Sequence, residues 1–189
     1  MTRRLVLVVA LALLALHCDS RRAAPKEPLL KVGDFTLVDD RGQPFHLSSL
    51  HGTPSLLFFG YTHCPDACPT MMALVARSYR LAGSDARSIP TLFVSVDPRD
   101  TPAVLREYVS YFKAIPARGL TGTKAQIDKV VAQFGARYEI HDSGSAGGPS
   151  IDHTVRLYLI DKNGNVAALF DPTSTPEDIA KAMRAALAG

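Results

Sequence analysis

Residues 55–70 read SLLFFGYTHCPDACPT and carry the strongest indication of the fold. The first six residues form a short apolar run, which is typical of a β-strand buried on both faces. Beyond the two cysteines, apolar residues recur at helical spacing up to Gly83; they are Met71, Met72, Leu74, Val75 and Tyr79. The stretch therefore predicts a buried strand, a turn that holds two cysteines, and a helix that Pro69 can begin.

The segments on either side complete an alternating pattern of strands and helices. Residues 91–96 predict a second buried strand, and Thr101 or Asp100 can cap the helix that follows it to about residue 112. The remaining predicted elements are a hairpin at 35–47, a helix at 123–134, a hairpin at 155–170 and a last helix from 175. This order predicts an α/β fold, in which a mixed central sheet is covered by helices on both faces. It is the thioredoxin-like arrangement with an extra N-terminal β-hairpin.

Composition sets the broad class of protein. The chain has 189 residues, of which 47% are hydrophobic and 21% charged, so it is not disordered, collagen-like or a multi-span membrane protein. The net charge of +3 falls to +1 when residues 1–17 are removed. A nearly neutral body with no basic stripe and no tryptophan excludes a nucleic-acid partner.

The N-terminus predicts export from the cytoplasm. Two arginines, Arg3 and Arg4, precede an apolar run from Leu5 to Leu16, which is shorter than the about 20 residues that span a bilayer. Because Cys18 follows this run, we expect a lipoprotein signal, a short uncleaved anchor or an ordinary cleaved signal at 1–18. A flexible tether at 19–30 and one domain at 31–189 would follow. The protein is then expected in a bacterial cell envelope, on the periplasmic side of the inner membrane. It would be anchored by lipid or a short anchor, with membrane contact only through the N-terminus, or exported as a soluble protein.

Cys64 and Cys68 are the residues most suggestive of chemistry. If the turn is helical, their side chains share one face with about 5–6 Å between the Cβ atoms, close enough for a disulfide or for binding one metal ion. A purely structural disulfide is disfavoured, because closing so short a loop adds little stability. The helix N-terminus also predicts unusually acidic thiols.

A histidine is the best candidate for a third ligand. Of the five histidines beyond the export segment, His153 immediately precedes the predicted strand at 155–160, in a loop that faces the cysteine turn in a thioredoxin-like fold. Two sulfurs and one imidazole are a donor set suited to copper, whereas a closed structural zinc site needs four ligands.

Four motifs resemble the Sco/SenC family of copper proteins in their order and separations. They are Phe59–Thr70, Val96–Pro102, Leu120-Thr121-Gly122 and Asp152-His153-Thr154 followed by Tyr158–Asp161. The resemblance runs from about residue 31 to residue 187.

The resemblance implies a thioredoxin-like copper chaperone for cytochrome c oxidase assembly. By analogy, one Cu(I) or Cu(II) ion per chain would bind through Cys64, Cys68 and His153. The implied partner is the CuA domain of cytochrome c oxidase subunit II, which the protein would serve by delivering copper, by reducing the CuA cysteines, or by both. A periplasmic copper donor and a thiol reductase are further implied partners.

Other functions can use the same cysteine pair. An extracytoplasmic thiol–disulfide oxidoreductase would use Cys64 as attacking thiolate and Cys68 as resolving thiol, so enzymatic activity stays open. A copper or redox sensor is a further alternative, whereas a peroxiredoxin-type peroxidase fits the pair poorly. His153 separates the hypotheses, because dithiol exchange does not need it and a three-donor copper site does.

Residues near the motifs mostly have ordinary interpretations. Met71 and Met72 are expected to pack in the core, and Asp97 is expected either to pair with Arg99 or to tune copper transfer. The histidines expected at the surface or beside the site are His46, His51, His63 and His141, the last at the start of a Gly/Ser-rich loop at 141–150. Other expected neighbours of the sulfurs are Tyr61, Pro65, Asp66 and Asp152, whereas Asp100 is expected to cap a helix or to pair with Arg99.

Overall fold

A seven-stranded mixed sheet forms the centre of the computed structural model, which describes residues 27–141 and 148–189. Its strands are β1 Thr36–Asp39, β2 Pro44–His46, β3 Ser55–Gly60, β4 Thr91–Ser95, β5 Ala117–Thr121, β8 Leu157–Ile160 and β9 Val166–Phe170. Strands β3, β4 and β5 are parallel to one another, and every other pairing is antiparallel, in the order β2-β1-β5-β4-β3-β8-β9. The two predicted hairpins and both predicted buried strands are confirmed.

The described residues form four α-helices, in the predicted order. They are α1 Ala67–Ala82, α2 Pro102–Ser110, α3 Lys124–Gln133 and α4 Pro176–Ala188. Threonine caps begin three of them: the side chains of Thr101, Thr123 and Thr175 accept from backbone N–H groups of the first turn. The capping box predicted at Thr123 is present, and the cap of α2 is Thr101 rather than Asp100. Helix α1 begins before Pro69, which places Cys68 inside its first turn.

Adjacent residues of β3 show that both faces of the sheet are covered. Consecutive strand side chains point to opposite faces, so Phe58 lies on one face of the sheet and Phe59 on the other. The Phe58 ring packs against Phe93, on the face where Phe93 also meets Tyr108 of α2. The Phe59 ring instead packs edge-on against Phe134, at the end of α3. This arrangement confirms the predicted thioredoxin-like layering.

A separate two-stranded ribbon was not predicted. It pairs β6 Tyr138–His141 with β7 Ser150–His153, and within the described residues these strands pair only with each other. His153 is therefore the last residue of a strand rather than part of a loop. Strand β5 is also an addition to the predicted order; it holds Arg118 and Gly119 in a run that is not continuously apolar.

The N-terminal segments lie mostly outside the described residues. The predicted export segment and Cys18 lie outside the described part of the chain, so their assignment stays a prediction. None of the helices in the described part of the chain combines the length and the apolar composition needed to cross a bilayer.

Candidate metal centre

The turn between β3 and α1 presents two free thiols side by side. Cys64 lies in the turn and is partly exposed, while Cys68 is the second residue of α1 and is buried. The backbone N–H of Cys68 donates to Cys64 Sγ across 3.4 Å. The first turn of a helix has N–H groups with no intrahelical acceptor, so this bond satisfies one of them with sulfur.

Gly60 makes room for the buried thiol. A Cβ atom at this position would lie 2.7 Å from Cys68 Sγ, which is closer than real contacts allow. It would also lie 3.0 Å from ring atoms of Phe58 and Phe93. The last residue of β3 must therefore lack a side chain, a requirement that sequence reasoning missed although Gly60 lies within the Phe59–Thr70 motif.

His153 approaches the thiols from the ribbon. Its ring lies edge-on between Phe58 and Tyr61, with centroid distances of 5.9 and 5.8 Å. Nδ1 lies 3.2 Å from the carbonyl oxygen of Thr154, and since a carbonyl can only accept, Nδ1 carries the proton. The neutral ring then directs the lone pair of Nε2 toward Cys68 Sγ, 3.5 Å away.

The three predicted ligands come together in one cluster. The Sγ atoms of Cys64 and Cys68 and a ring nitrogen of His153 all lie within 4.8 Å of one another. Two thiolates and an imidazole are soft and borderline donors, and the aromatic rings around His153 give the cluster an apolar wall. This donor set fits copper, and with three protein donors it is one short of a closed structural zinc site.

Burial controls the protonation of two of the predicted ligands, Cys68 and His153. Burial raises the pKa of the Cys68 thiol, and the neighbouring Cys64 raises it further, so the prediction of an unusually acidic thiol is wrong for Cys68. The helix N-terminus is outweighed here by the loss of solvent around the sulfur. Burial lowers the pKa of His153, which keeps the imidazole neutral and able to bind metal at neutral pH.

The turn after β4 forms a hydrogen-bonded network beside the thiols. Asp100 is buried and accepts from the backbone N–H of Thr62 at 2.9 Å, from Thr62 Oγ1 at 2.6 Å and from Ser95 Oγ at 2.6 Å. It therefore holds the chain two residues before Cys64. The predicted pairing of Asp97 with Arg99 is confirmed, since Arg99 donates to both carboxylate oxygens.

A second group of possible ligands adjoins this network. His63, Asp97 and Asp100 place one ligand atom each within 4.8 Å of one another. His63 is exposed, with Nδ1 3.9 Å from Asp100 Oδ1, so it lies beside the thiol site as predicted and outside the cluster of Cys64, Cys68 and His153. Both carboxylates already accept several hydrogen bonds.

The other candidate residues are sorted by their contacts. Met71 and Met72 are fully buried in the core, as predicted. His141 is exposed on β6 and pairs with Asp152 at 3.0 Å, so Asp152 does not orient the His153 ring. Residues at the surface are His46, His51, Pro65 and Asp66, whereas Tyr61 is buried against His153. Residues 142–147 of the Gly/Ser-rich loop lie outside the described part of the chain.

Comparisons with known proteins agree on one family. The SCO1/SenC family model matches residues 23–188. An SCO2-like protein of Rickettsia conorii is 36% identical over 156 residues, covering 80% of this chain and 75% of that protein. The structure of Bradyrhizobium japonicum ScoI with copper bound has a TM-score of 0.75 and 38% identity, and the match covers 82% of this chain and 99% of ScoI.

A more distant structure shares the fold alone. BsSco, a member of the Sco family of cytochrome c oxidase assembly proteins in which a disulfide switch has been identified, matches with a TM-score of 0.67 and 22% identity. That match covers 86% of this chain and 96% of BsSco. The family model and the Rickettsia conorii relative show that the chain belongs to the SCO1/SenC family.

Proposed function

We propose that this protein is a copper chaperone that binds one copper ion per chain through Cys64, Cys68 and His153. The observation that carries the proposal is the meeting of two thiol sulfurs and an imidazole nitrogen within 4.8 Å, on elements far apart in sequence. Copper is the cargo, for which soft thiolates and a neutral imidazole are preferred donors. The copper-bound ScoI structure supports the same assignment by family membership.

The proposed recipient is the CuA site of cytochrome c oxidase subunit II. Family membership links the chain to cytochrome c oxidase assembly, and we further propose that subunit II is the part of the oxidase that receives the copper. Cys64 is partly exposed and next to the exposed residues His63 and Pro65, so a partner's thiols can reach it directly. Transfer would then proceed by stepwise replacement of Cys64, Cys68 and His153 by the recipient's ligands. The N-terminus would hold the domain at the periplasmic side of the inner membrane, by lipid on Cys18 or by a short anchor.

A thiol–disulfide oxidoreductase is the second candidate, favoured by the unequal exposure of the two cysteines. The thiolate of the accessible Cys64 would attack a substrate disulfide, and one substrate sulfur would leave as a thiolate. The buried Cys68 would then attack Cys64 Sγ, releasing the second substrate thiol and leaving a Cys64–Cys68 disulfide. Two electrons pass from the pair to the substrate, which is the chemistry needed to reduce the CuA cysteines.

Copper titration of the reduced protein tests the main proposal. We expect one Cu(II) per chain with a sulfur-to-copper charge-transfer band, monitored by absorption and electron paramagnetic resonance. His153→Ala should lose the stable Cu(II) site and keep two-coordinate Cu(I) binding, whereas Cys64→Ser and Cys68→Ser should lose tight binding of both ions.

A matched control and two outcomes make the experiment decisive. His51→Ala, at an exposed histidine outside the cluster, should bind copper as the wild type does. Full Cu(II) affinity in His153→Ala would contradict the proposed three-donor site. Absence of copper binding in the wild type, together with rapid reduction of a disulfide substrate, would favour the oxidoreductase.

A further inference from the structure

The turn between β4 and α2 connects the two halves of the candidate metal centre. One side of this turn holds Thr62, near the cysteines, through Asp100. The other side reaches the segment that leads into the histidine strand, because Arg99 donates from a guanidinium nitrogen to the carbonyl of Pro149 at 3.3 Å. Pro149 is the residue immediately before β7.

We propose that Arg99 is a positioning residue that holds the His153 strand against the thiol pair. The inference rests on the proposed copper site and assigns it a further determinant. Arg99 would contact neither the metal nor its ligands. It would act by fixing the start of the strand that ends at His153.

Asp97 fixes the guanidinium so that it can serve this role. Its carboxylate is buried and accepts from Arg99 Nε at 3.0 Å through each oxygen, and from a terminal guanidinium nitrogen at 2.6 Å. The Arg99 backbone N–H adds a fourth bond at 2.9 Å. Such a fork-shaped pairing leaves the arginine little rotational freedom. The free edge of the guanidinium, which is the edge not facing Asp97, therefore has a defined direction.

The segment before β7 is built to lie against that free edge. Gly148 has φ = 78°, a conformation that favours glycine, and a Cβ atom there would collide with the Arg99 guanidinium. The backbone of residues 148 and 149 therefore runs directly over the arginine. The close approach and the Pro149 hydrogen bond are two separate contacts between the same side chain and the same segment.

The ribbon needs such a tether more than a strand of the main sheet does. Within the described residues β6 and β7 pair only with each other, so neither strand belongs to the seven-stranded sheet. The thiols, by contrast, are set by β3 and α1. Loss of the Arg99 contacts should therefore let His153 move relative to the sulfurs while the thiol pair keeps its geometry.

The test compares Arg99→Gln with wild type in the full chain. In the metal-free protein we expect severalfold faster amide hydrogen exchange at residues 148–155 and unchanged exchange in β3. After loading, Cu(II) affinity should fall about tenfold, with an electron paramagnetic resonance spectrum shifted toward that of His153→Ala. Cu(I) affinity, carried by the thiols, should stay within about twofold.

Two further variants separate positioning from charge. Arg106→Gln removes an exposed arginine of α2 and should change none of these quantities. Arg99→Lys keeps the positive charge but cannot bind Asp97 through a fork and reach Pro149 as well, so it should behave as Arg99→Gln does. Full rescue by lysine would overturn the positioning role in favour of a purely electrostatic one.

Two further results would overturn the role of Arg99, and a third would overturn the proposed function. Unchanged exchange at residues 148–155 in Arg99→Gln overturns the inference, and so does an equal loss of Cu(I) and Cu(II) affinity. If the wild type binds no copper, the proposed function fails, and the exchange measurement on the metal-free chain still decides whether Arg99 holds the strand.

Discussion

The two halves of the candidate metal centre are supported very differently. The thiol half belongs to the core: every residue of β3 is buried, and the strand is paired with β4 on one side and β8 on the other. The histidine half is a two-stranded ribbon, in which three of the four β6 residues are exposed and Ile151 is the buried residue of β7. An isolated ribbon is only marginally stable by itself. The contrast suggests that the spacing of the sulfurs is fixed by the fold, and that the position of the imidazole depends on a small number of local contacts.

Gly60→Ala should cause the largest loss of stability and copper affinity, because Gly60 packs against Cys68 in the rigid thiol half. The new methyl group would collide with Cys68 Sγ and with two packed rings, and overpacking of this kind costs about 1–3 kcal/mol of unfolding free energy. Displacement of Cys68 should also weaken binding of both copper ions. Urea unfolding and Cu(I) titration measure the two effects.

The matched control is Gly33→Ala. Gly33 is exposed, and an added Cβ would meet only the flexible end of the Gln133 side chain. Its unfolding free energy should stay within about 0.5 kcal/mol of the wild type. If Gly60→Ala matched this control in stability and in copper affinity, the thiol half would be less rigid than the packing indicates.

Asp97→Asn should have the second-largest effect on stability, since it weakens the Asp97–Arg99 pairing that links the two halves. Hydrogen bonds to a charged group are worth about 1.5–3 kcal/mol, and the asparagine keeps the size of the side chain but not its charge. The loss should appear in urea unfolding at pH 7 and in faster hydrogen exchange of the ribbon.

The pH dependence of this effect has a defined sign. Burial raises the pKa of Asp97, but the hydrogen bonds and charge of Arg99 outweigh burial and leave the pKa below its usual value. The stabilisation is thus complete above the unfolded pKa of about 3.9 and is lost as the pH falls through the lower folded pKa. The difference in unfolding free energy between wild type and Asp97→Asn should be constant near neutrality and shrink below about pH 4. A difference that grew on acidification would contradict the assignment.

Thr154→Val should have a smaller effect, confined to the ribbon. Thr154 Oγ1 accepts from the backbone N–H of Arg137 at 3.0 Å, and such a bond contributes about 1 kcal/mol. We expect faster exchange in β6 and β7 with little change in the urea midpoint. Thr36→Val, which removes a hydroxyl bound to His46 on the main sheet, is the control and should leave ribbon exchange unchanged. Equal exchange in the two variants would mean that this bond does not support the ribbon.

His141→Ala should have the smallest effect. His141 forms a hydrogen bond with Asp152 on the exposed side of the ribbon, and exposed contacts of this kind contribute at most about 1 kcal/mol. Because His141 is outside the ligand cluster, Cu(II) affinity should stay within about twofold of wild type. A loss comparable with that of His153→Ala would show that the ribbon supplies more than one ligand.

Sequence reasoning succeeded where burial leaves a periodic signal. The apolar runs of β3 and β4 and the helical spacing after Cys68 predict the sheet, α1 and the thiol turn. The ribbon was missed because exposed strands are not held to an apolar pattern, and β6 has no fully buried side chain. The meeting of His153 with the cysteines followed from the thioredoxin-like arrangement, although its strand did not.

Other parts of the site depend on contacts that no local pattern encodes. The bonds of Asp100 to Thr62 join residues far apart in sequence, and so does the bond of Arg99 to Pro149. The raised pKa of Cys68 likewise reflects how deeply the packed core encloses the sulfur, whereas the sequence reveals only the nearby helix end.

The pairing of β6 with β7 has a consequence for metal preference. Tyr138 stands opposite His153, and side chains alternate between the two sides of a strand. A slip of one residue would turn the imidazole away and bring Asp152 or Thr154 to the side of the sulfurs. Either would offer oxygen in place of nitrogen, and oxygen donors suit harder cations than copper. The register of two short strands thus determines whether nitrogen or oxygen lies beside the two sulfurs. Because register changes only by whole residues, no intermediate arrangement exists.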